Sequence, residues 1–204
     1  MSDEPADDPA ADDGPTIEVL IVEDQAEVAG LYASWLAEQY SVTIAHGGQD
    51  ALDVWDEDID IVLLDRRMPD VSGDDVLSAL RERGADCPIA IVTAIDPDVD
   101  IVEMGFDEYL VKPIERDDVV GTIERLLDRT KYRDDLQEYF ACVSKRSVLE
   151  EYVESAELDR SEAFDRLERR IDEIERDLDA TLYRFEDRDF RAVFREFEDE
   201  VPAE

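Results

Sequence analysis

The most regular feature of the chain is a series of short apolar runs that each end in a polar residue. The clearest is Ile61–Leu64, which leads into Asp65 and is followed by turn residues at Met68–Asp70 and Gly73. A fully apolar run bounded by turn residues is typical of a central strand in a parallel sheet that is covered on both faces. Asp65 would then lie at the carboxyl end of the strand, where open α/β sheets bind their ligands. A solvated acid that opens a loop is the alternative, and Asp65 alone does not exclude it.

Three further apolar runs also have polar residues at their carboxyl ends. These are Val19–Val22 before Glu23-Asp24, Ile89–Val92 before Thr93, and Tyr109–Val111 before Lys112-Pro113. The carboxyl ends of parallel strands lie at one edge of a sheet. We therefore expect an acid pair, a single acid, a hydroxyl and an ammonium group to converge there.

Amphipathic segments alternate with these runs. The pattern predicts five strands, at Ile17–Val22, Ser41–Ala45, Asp60–Leu64, Ile89–Val92 and Asp107–Val111. Apolar residues recur at helical spacing in five further segments, Gln25–Gln39, Gly48–Asp56, Gly73–Arg83, Pro97–Met104 and Ile114–Thr130. Five strand-helix units imply a doubly wound α/β fold, with helices on both faces of a parallel sheet.

The ordered set Glu23-Asp24, Asp65, Thr93 and Lys112-Pro113 resembles the receiver domain of two-component response regulators. The resemblance covers roughly Ile17–Arg129, and the order of its pieces makes it specific. It implies the flavodoxin-like strand order 2-1-3-4-5. It also implies that an aspartate is phosphorylated by a sensor histidine kinase.

Phosphoryl transfer to an aspartate needs a nucleophilic carboxylate, a divalent cation, and cationic or hydroxyl groups for the moving oxygens. Asp65 is the candidate nucleophile. Glu23 and Asp24 are the candidate Mg2+ acids, since Mg2+ takes one or two carboxylates and keeps several waters. These acids have an alternative interpretation as residues that the helix dipole favours near a helix N-terminus. The resemblance adds the backbone carbonyl of Arg67 as a further metal ligand.

The resemblance also implies roles for residues of the last two strands. Lys112 would pair with Asp65 at rest and with a phosphoryl oxygen afterwards, and its bond to Pro113 would be cis. Thr93 would donate its hydroxyl to the phosphoryl group. Tyr109 matches the switch residue, an aromatic whose rotation reports phosphorylation, although packing at a sheet edge is an equal alternative.

Beyond Lys131 the pattern predicts only helices. An apolar stripe continues through Tyr132–Val153, a break follows near Ser155–Ser161, and Phe164–Phe185 carries about three heptads of apolar positions. The run YRDDLQEYFACVSKRSVLEEYVE resembles the HalX domain, a helical partner of haloarchaeal receivers. The two helices could pack as a hairpin in one chain or as a coiled coil between chains. A last amphipathic turn is expected at Phe190–Phe197.

These patterns divide the chain into three parts. Residues 1–15 are an acidic stretch without apolar periodicity, for which we expect a disordered tail. Residues 16–130 form the receiver domain and residues 131–204 the HalX-like helical domain.

The chain has 58 Asp and Glu against 21 Lys and Arg, a formal net charge of −37. This excess argues against attraction to nucleic acid or anionic lipid, and it favours a halophilic protein, because high salt screens the repulsion. Two cysteines are too few for a disulfide framework, and no signal peptide is recognisable. No apolar run approaches the roughly 20 residues of a membrane span. We expect a cytoplasmic protein that does not bind membranes.

The leading hypothesis is a response regulator that is phosphorylated on Asp65 and switches a helical output module. It would not be an enzyme beyond its own phosphorylation and dephosphorylation. One alternative is a constitutive interaction or dimerisation module with a degenerate receiver. Another is a DNA-associated transcriptional regulator, although residues 131–204 carry 13 Lys and Arg against 24 Asp and Glu, which disfavours DNA. A homodimer could form through the receiver face or the helical extension.

Two arginines after the candidate nucleophile depart from the receiver pattern. Arg66 and Arg67 could be solvated partners of the surrounding acids. They also argue against a different class of protein, the phosphatases of the haloacid dehalogenase type, which use a nucleophilic aspartate as well. Those enzymes need a second acid two residues after the nucleophile, where this chain has Arg67, so we discount that class.

Overall fold

The computed structural model describes residues 16–185 and residue 189. Within them five strands form one sheet in which every pairing is parallel. The strands are β1 Glu18–Val22, β2 Ser41–Ala45, β3 Ile61–Leu64, β4 Ile89–Thr93 and β5 Glu108–Val111. Their order, β2-β1-β3-β4-β5, confirms the predicted flavodoxin-like arrangement. The expected tail at residues 1–15 and the expected turn at Phe190–Phe197 lie outside the described residues.

Six α-helices accompany the strands within residues 16–185. They are α1 Ala26–Leu36, α2 Gly48–Val54, α3 Gly73–Glu82, α4 Arg116–Tyr152, α5 Ser155–Leu158 and α6 Glu162–Leu182. None of the helices in the described part of the chain is both long and apolar enough to cross a bilayer.

The segment between β4 and β5 differs from its prediction. Where the sequence predicts a short helix at Pro97–Met104, the chain forms a 3-10 helix at Val99–Glu103. Val99 and Val102 are more than four-fifths exposed, so this segment does not bury the apolar face from which a helix in a protein gains most of its stability. The spacing of apolar residues therefore did not indicate which side chains of this segment are buried.

The central strands are buried on both faces. Every residue of β3 and β4 is buried, as are four of the five residues of β1, whereas the edge strands β2 and β5 are mostly half-buried. The fully apolar sequence of β3 follows from this position, because helices cover both faces of a central parallel strand. The sheet thus places the carboxyl ends of β1, β3 and β4 side by side.

The turn between β3 and α3 is held by local hydrogen bonds. The Ser72 hydroxyl accepts a hydrogen bond from the Asp75 amide, and the Asp75 carboxylate accepts one from the Ser72 amide in return. Such a reciprocal cap stabilises a helix start by about 1 kcal/mol. Asp70 has φ 70°, in the left-handed region that aspartate adopts more readily than most residues. The backbone that follows Asp65 is therefore held in a defined path.

Residues from Gly121 onward form a second compact unit. In it the later part of α4 packs against α6 as a helical hairpin, and the turn between them contains α5, where the sequence predicts a break. The buried residues of this hairpin core are Tyr132, Cys142, Ile171, Ile174 and Leu178. The hairpin alternative is thus realised within one chain.

Ion pairs add to the helical unit. The Arg129 Nε donates to Asp189 Oδ1 at 2.8 Å, with the two side chains 11% and 1% exposed. Arg170 pairs with Glu138 on the surface. Helix α4 itself is continuous across Thr130, where the sequence places a domain boundary, so that boundary stays a prediction.

Candidate functional site

The ends of β1 and β3 bring three carboxylates together. The Asp65 amide donates a hydrogen bond to the Val22 carbonyl at 2.8 Å, which fixes Asp65 beside the end of β1. One oxygen from each of Glu23, Asp24 and Asp65 lies within 4.8 Å of the other two. Glu23 and Asp65 are 2% and 6% exposed, so two negative charges are removed from water at one place.

Lys112 reaches these acids from the end of β5. Its Nζ donates to Glu23 Oε2 at 2.6 Å and to Asp65 Oδ1 at 3.0 Å. Burial acts to lower the pKa of Lys112, but hydrogen bonds and the charges of Glu23 and Asp65 outweigh it and raise that pKa. The Lys112–Pro113 bond is cis, as the receiver resemblance implies. The ammonium group therefore compensates part of the negative charge of the site.

The third carboxylate, Asp24, has one oxygen that is not satisfied. Its Oδ1 is buried and has no hydrogen-bond partner in the described part of the chain. A buried charged oxygen without a donor or cation is costly, so the arrangement fits a bound hard cation such as Mg2+. Glu23, Asp24, Asp65 and the Arg67 carbonyl are the residues that would hold it. The Arg67 amide already donates to Asp65 Oδ2 at 3.1 Å.

Thr93 and Tyr109 lie on the other side of the site. Thr93 is 1% exposed at the end of β4, and its hydroxyl accepts a hydrogen bond from the Ile95 amide at 3.4 Å. Its carbonyl accepts one from the Lys112 amide at 2.8 Å, which ties the ends of β4 and β5 together. The half-buried Tyr109 donates its hydroxyl to the Ile95 carbonyl at 3.0 Å. Both predicted residues thus contact the same loop.

A glycine allows the loop after Asp65 to return to the strand end. The Gly73 amide donates to the Arg66 carbonyl at 3.0 Å. A Cβ atom on Gly73 would collide with the backbone carbonyl of Asp65 and lie 2.7 Å from the Arg66 Cα. Because these are backbone atoms, they cannot move aside as a flexible side chain would. Glycine is therefore required for this close approach.

Comparison with known families agrees with this geometry. The family model of the response regulator receiver domain matches residues 19–124, more than half of the chain. This chain belongs to the response regulator receiver family. The model of the HalX domain matches residues 128–194, so the receiver domain is followed by a HalX domain.

Relatives of the receiver domain include regulators from archaea and bacteria. A candidate transcriptional regulator of Haloferax volcanii is 44% identical over 165 residues, which are 80% of this chain and 28% of that protein. The transcriptional regulatory protein CpxR of Escherichia coli is 37% identical over 123 residues, 58% of this chain and 53% of CpxR. The regulatory protein LuxO of Vibrio cholerae is 36% identical over 57% of this chain and 27% of LuxO. The chain thus spans about half or less of these relatives.

Solved receiver structures share the fold. The receiver domain of a LuxO-type protein from Vibrio parahaemolyticus has 28% identity and a TM-score of 0.53, over 58% of this chain and 95% of that domain. A CheY-like receiver from Methanospirillum hungatei has 26% identity and a TM-score of 0.51, over 55% of this chain and 94% of the other.

The receiver site contains an ion pair that sequence reasoning did not find. The Arg66 guanidinium donates to both carboxylate oxygens of Asp74, with Nε at 2.9 Å from Oδ1 and Nη2 at 3.1 Å from Oδ2. The hydrogen bonds and the charge of Asp74 raise the pKa of Arg66, and Tyr109 acts in the same direction. Arg66 is largely buried whereas Arg67 is exposed. The sequence singles out both arginines but contains no signal that distinguishes them.

Tyr32 of α1 is a second residue near the site that the sequence pattern does not single out. It is 5% exposed, and its burial raises the pKa of its hydroxyl. The charges of Lys112, Glu23 and Asp65 also act on that pKa, so Tyr32 lies close to the receiver site. Its helical spacing gave no indication of this position.

Proposed function

We propose that Asp65 accepts a phosphoryl group from a sensor histidine kinase, with Mg2+, and that its phosphorylation switches the helical output module. The main support is the group of residues around Asp65. A lysine bridges two buried carboxylates, and the third carboxylate beside them has a buried oxygen to which none of the described residues donates a hydrogen bond. This is the set of charges that phosphoryl transfer to an aspartate needs.

The transfer is a displacement at phosphorus. An Asp65 oxygen attacks the phosphorus of the kinase phosphohistidine, and an O–P bond forms while the P–N bond breaks and its electron pair leaves with the imidazole. Lys112, already 3.0 Å from Asp65 Oδ1, would move its ammonium group onto a phosphoryl oxygen. Thr93 would donate its hydroxyl to another. A Mg2+ ion held by Glu23, Asp24 and Asp65 would supply positive charge that stabilises the oxygens of the moving group.

The switch would begin at the loop after β4. Thr93 and Tyr109 both bond to Ile95, so movement of Thr93 toward a phosphoryl group would disturb the Tyr109 contact. A change of this kind at a packed surface alters which partner the surface binds. Helix α4 begins shortly after Lys112 and continues into the HalX hairpin, which offers a covalent route to the output module.

We propose a protein as the target of the helical module, in preference to DNA. The relatives that are named as transcriptional regulators favour DNA, but residues 131–204 carry a clear excess of acids. An anionic surface is repelled by the phosphate backbone that dominates DNA affinity. Protein partners, including a second copy of the chain, do not meet this obstacle. We place the protein among cytoplasmic signalling proteins of halophiles, and not among conventional enzymes.

Intact mass spectrometry tests the phosphorylation. The protein is incubated with Mg2+ and acetyl phosphate in high salt, beside Asp65→Ala and the control Asp58→Ala, which removes an exposed acid before β3. We expect one phosphoryl adduct on the parent and the control, and none on Asp65→Ala. If the folded parent takes no adduct, the receiver is degenerate and the helical module acts constitutively. An adduct that persists in Asp65→Ala would assign phosphorylation to another residue.

A further inference from the structure

The peptide group between Arg66 and Arg67 is hydrogen-bonded on both sides. Its carbonyl, which belongs to Arg66, accepts a hydrogen bond from the Gly73 amide at 3.0 Å. Its N–H, which belongs to Arg67, donates to Asp65 Oδ2 at 3.1 Å. Because a peptide group is planar, these two bonds set its orientation, and only the two dihedral angles of Arg67 separate it from the next carbonyl. That carbonyl is the candidate Mg2+ ligand of Arg67, so its position depends on what holds Arg66.

An ion pair with two hydrogen bonds fastens Arg66 to the start of α3. The Arg66 Nε lies 2.9 Å from Asp74 Oδ1, and its Nη2 lies 3.1 Å from Asp74 Oδ2. Two parallel bonds between a guanidinium and a carboxylate fix the direction of the contact as well as its length. The Arg66 side chain is only 14% exposed, so its neighbours enclose it on most sides. With the bond from Gly73 to the Arg66 carbonyl, the ion pair joins the end of β3 to α3 through side chain and backbone together.

The segment enclosed by these contacts is short, and other residues anchor it as well. Met68 is buried in the core of the receiver domain, and Val71 packs against the same core. Arg67, by contrast, has an exposed side chain and lies between Arg66 and Met68. Its backbone is therefore held through its two neighbours, by the ion pair on one side and by burial on the other. Loss of the ion pair would remove one of these restraints.

We propose that Arg66 and Asp74 are positioning residues, whose ion pair holds the Arg67 carbonyl in place for Mg2+ and favours Mg2+ over Ca2+. Mg2+ needs a nearly ideal octahedron of ligands at about 2.0–2.1 Å, whereas Ca2+ accepts oxygens at about 2.3–2.6 Å in a flexible arrangement. A ligand that is held in one place therefore suits Mg2+, and a ligand that can shift suits Ca2+. The inference rests on the proposed function in that the site must take a divalent cation, but cation binding does not require phosphorylation.

The charges of the ion pair do not produce the same preference. Mg2+ and Ca2+ carry the same charge, so a change in the electrostatic field at the site alters both affinities in the same direction and by a similar factor. The ion pair is also neutral as a whole, so its removal leaves the net charge of the loop unchanged. A selective loss of Mg2+ binding would therefore report the position of a ligand and not the field.

Nuclear magnetic resonance of the 15N-labelled protein tests the proposal, with Mg2+ and Ca2+ added in separate titrations that give both dissociation constants. The parent is compared with Arg66→Met/Asp74→Asn, which removes the pair, and with Arg66→Lys, which keeps the charge but lacks the planar fork. Groups that orient metal ligands typically contribute about 10–100-fold to metal affinity. Because this pair acts on one ligand through the backbone, we expect the Mg2+ dissociation constant to rise about tenfold in both variants. The Ca2+ dissociation constant should rise less.

The matched control is Arg170→Met/Glu138→Gln. It removes another arginine–carboxylate pair with two hydrogen bonds, on the surface of the helical hairpin, and it makes the same change of charge. Both of its dissociation constants should equal those of the parent. Thermal unfolding without metal is measured on every sample, because a pair that only stabilises the fold would lower the melting temperature and leave the cation affinities of the folded protein unchanged.

Two results would overturn the proposal. In one, folded Arg66→Met/Asp74→Asn binds both ions as the parent does, and in the other, its two dissociation constants rise by the same factor. Intact mass after acetyl phosphate treatment separates this proposal from the proposed function. A parent that takes no phosphoryl group, while the variants lose Mg2+ selectively, would reject the phosphorylation and keep the positioning role. A phosphorylated parent whose variants bind both ions normally would reject the positioning role alone, and a parent that binds neither ion would reject both.

Discussion

Replacing Lys112 with methionine should destabilise the receiver domain far more than replacing an exposed lysine. Methionine keeps most of the length and apolar volume of the lysine side chain, so the change is chiefly the loss of the ammonium group. In the parent that group lies 2.6 Å from Glu23 and 3.0 Å from Asp65, and the three side chains are 19%, 2% and 7% exposed. The variant would leave two buried carboxylates without their cation.

The magnitude follows from this burial. Removing one partner of a buried ion pair typically costs about 3–5 kcal/mol, because the remaining charge stays out of water uncompensated. For a chain of this size, each kcal/mol changes the melting temperature by roughly 2–4 °C. We therefore expect the receiver transition to fall by about 6–20 °C in the absence of Mg2+. Added Mg2+ brings positive charge to the same acids, so it should restore more stability to the variant than it adds to the parent.

Thermal unfolding in molar KCl, with and without Mg2+, measures these effects. The control is Lys131→Met, because Lys131 is 52% exposed in its pairs with Asp135 and Asp177. Exposed pairs contribute about 0–1 kcal/mol, and molar salt screens them further, whereas the buried pair is screened little. The reasoning is refuted if both variants melt at the same temperature, or if Mg2+ stabilises the parent and Lys112→Met equally.

Four further substitutions test other parts of the structure. Gly73→Ala places a Cβ atom against backbone atoms and should lower the free energy of unfolding in urea by about 1–3 kcal/mol. Its control is Gly30→Ala in α1, where an added Cβ atom meets nothing within 4 Å, and this change should raise the free energy of unfolding by about 0.4–1 kcal/mol. Ile171→Ala leaves a cavity in the hairpin core and should lower the stability of the hairpin by about 2–5 kcal/mol. Hydrogen exchange of the α6 amides should become faster, and unchanged exchange would contradict the hairpin. Arg129→Met removes the guanidinium that pairs with the buried Asp189 carboxylate and should cost about 3–5 kcal/mol in urea unfolding. A loss below about 1 kcal/mol would contradict the burial of this pair.

Much of the receiver fold could be predicted because its strands carry an unusually clear signal. Ile61–Leu64 is apolar at every position, which only a strand covered on both faces requires, and it is the central strand β3. The same logic places the polar residues that follow each run at one edge. The short helix predicted at Pro97–Met104 is a shorter 3-10 helix, Val99–Glu103, because apolar spacing does not say whether Val99 and Val102 are buried.

The sequence predicts which residues form the site better than it predicts which of them contact one another. Lys112 was expected to pair with Asp65, and it does, but its shorter hydrogen bond is to Glu23. The two acids precede it by 89 and 47 residues, so only the folded sheet decides which lies nearer. Arg66 and Arg67 are identical in type and adjacent, yet one is held by Asp74 and the other is exposed. Their difference depends on the direction in which the backbone turns.

The position of the boundary between the receiver and the HalX domain cannot be recognised in the sequence, for a physical reason. Domain boundaries are usually recognised by glycine, proline or polar linkers, and residues 122–152 contain no glycine or proline. Nothing in that stretch ends a helix, so α4 continues from Arg116 to Tyr152 and enters both units. A boundary of this kind can be recognised only by a change in what the helix packs against, since the helix itself does not change.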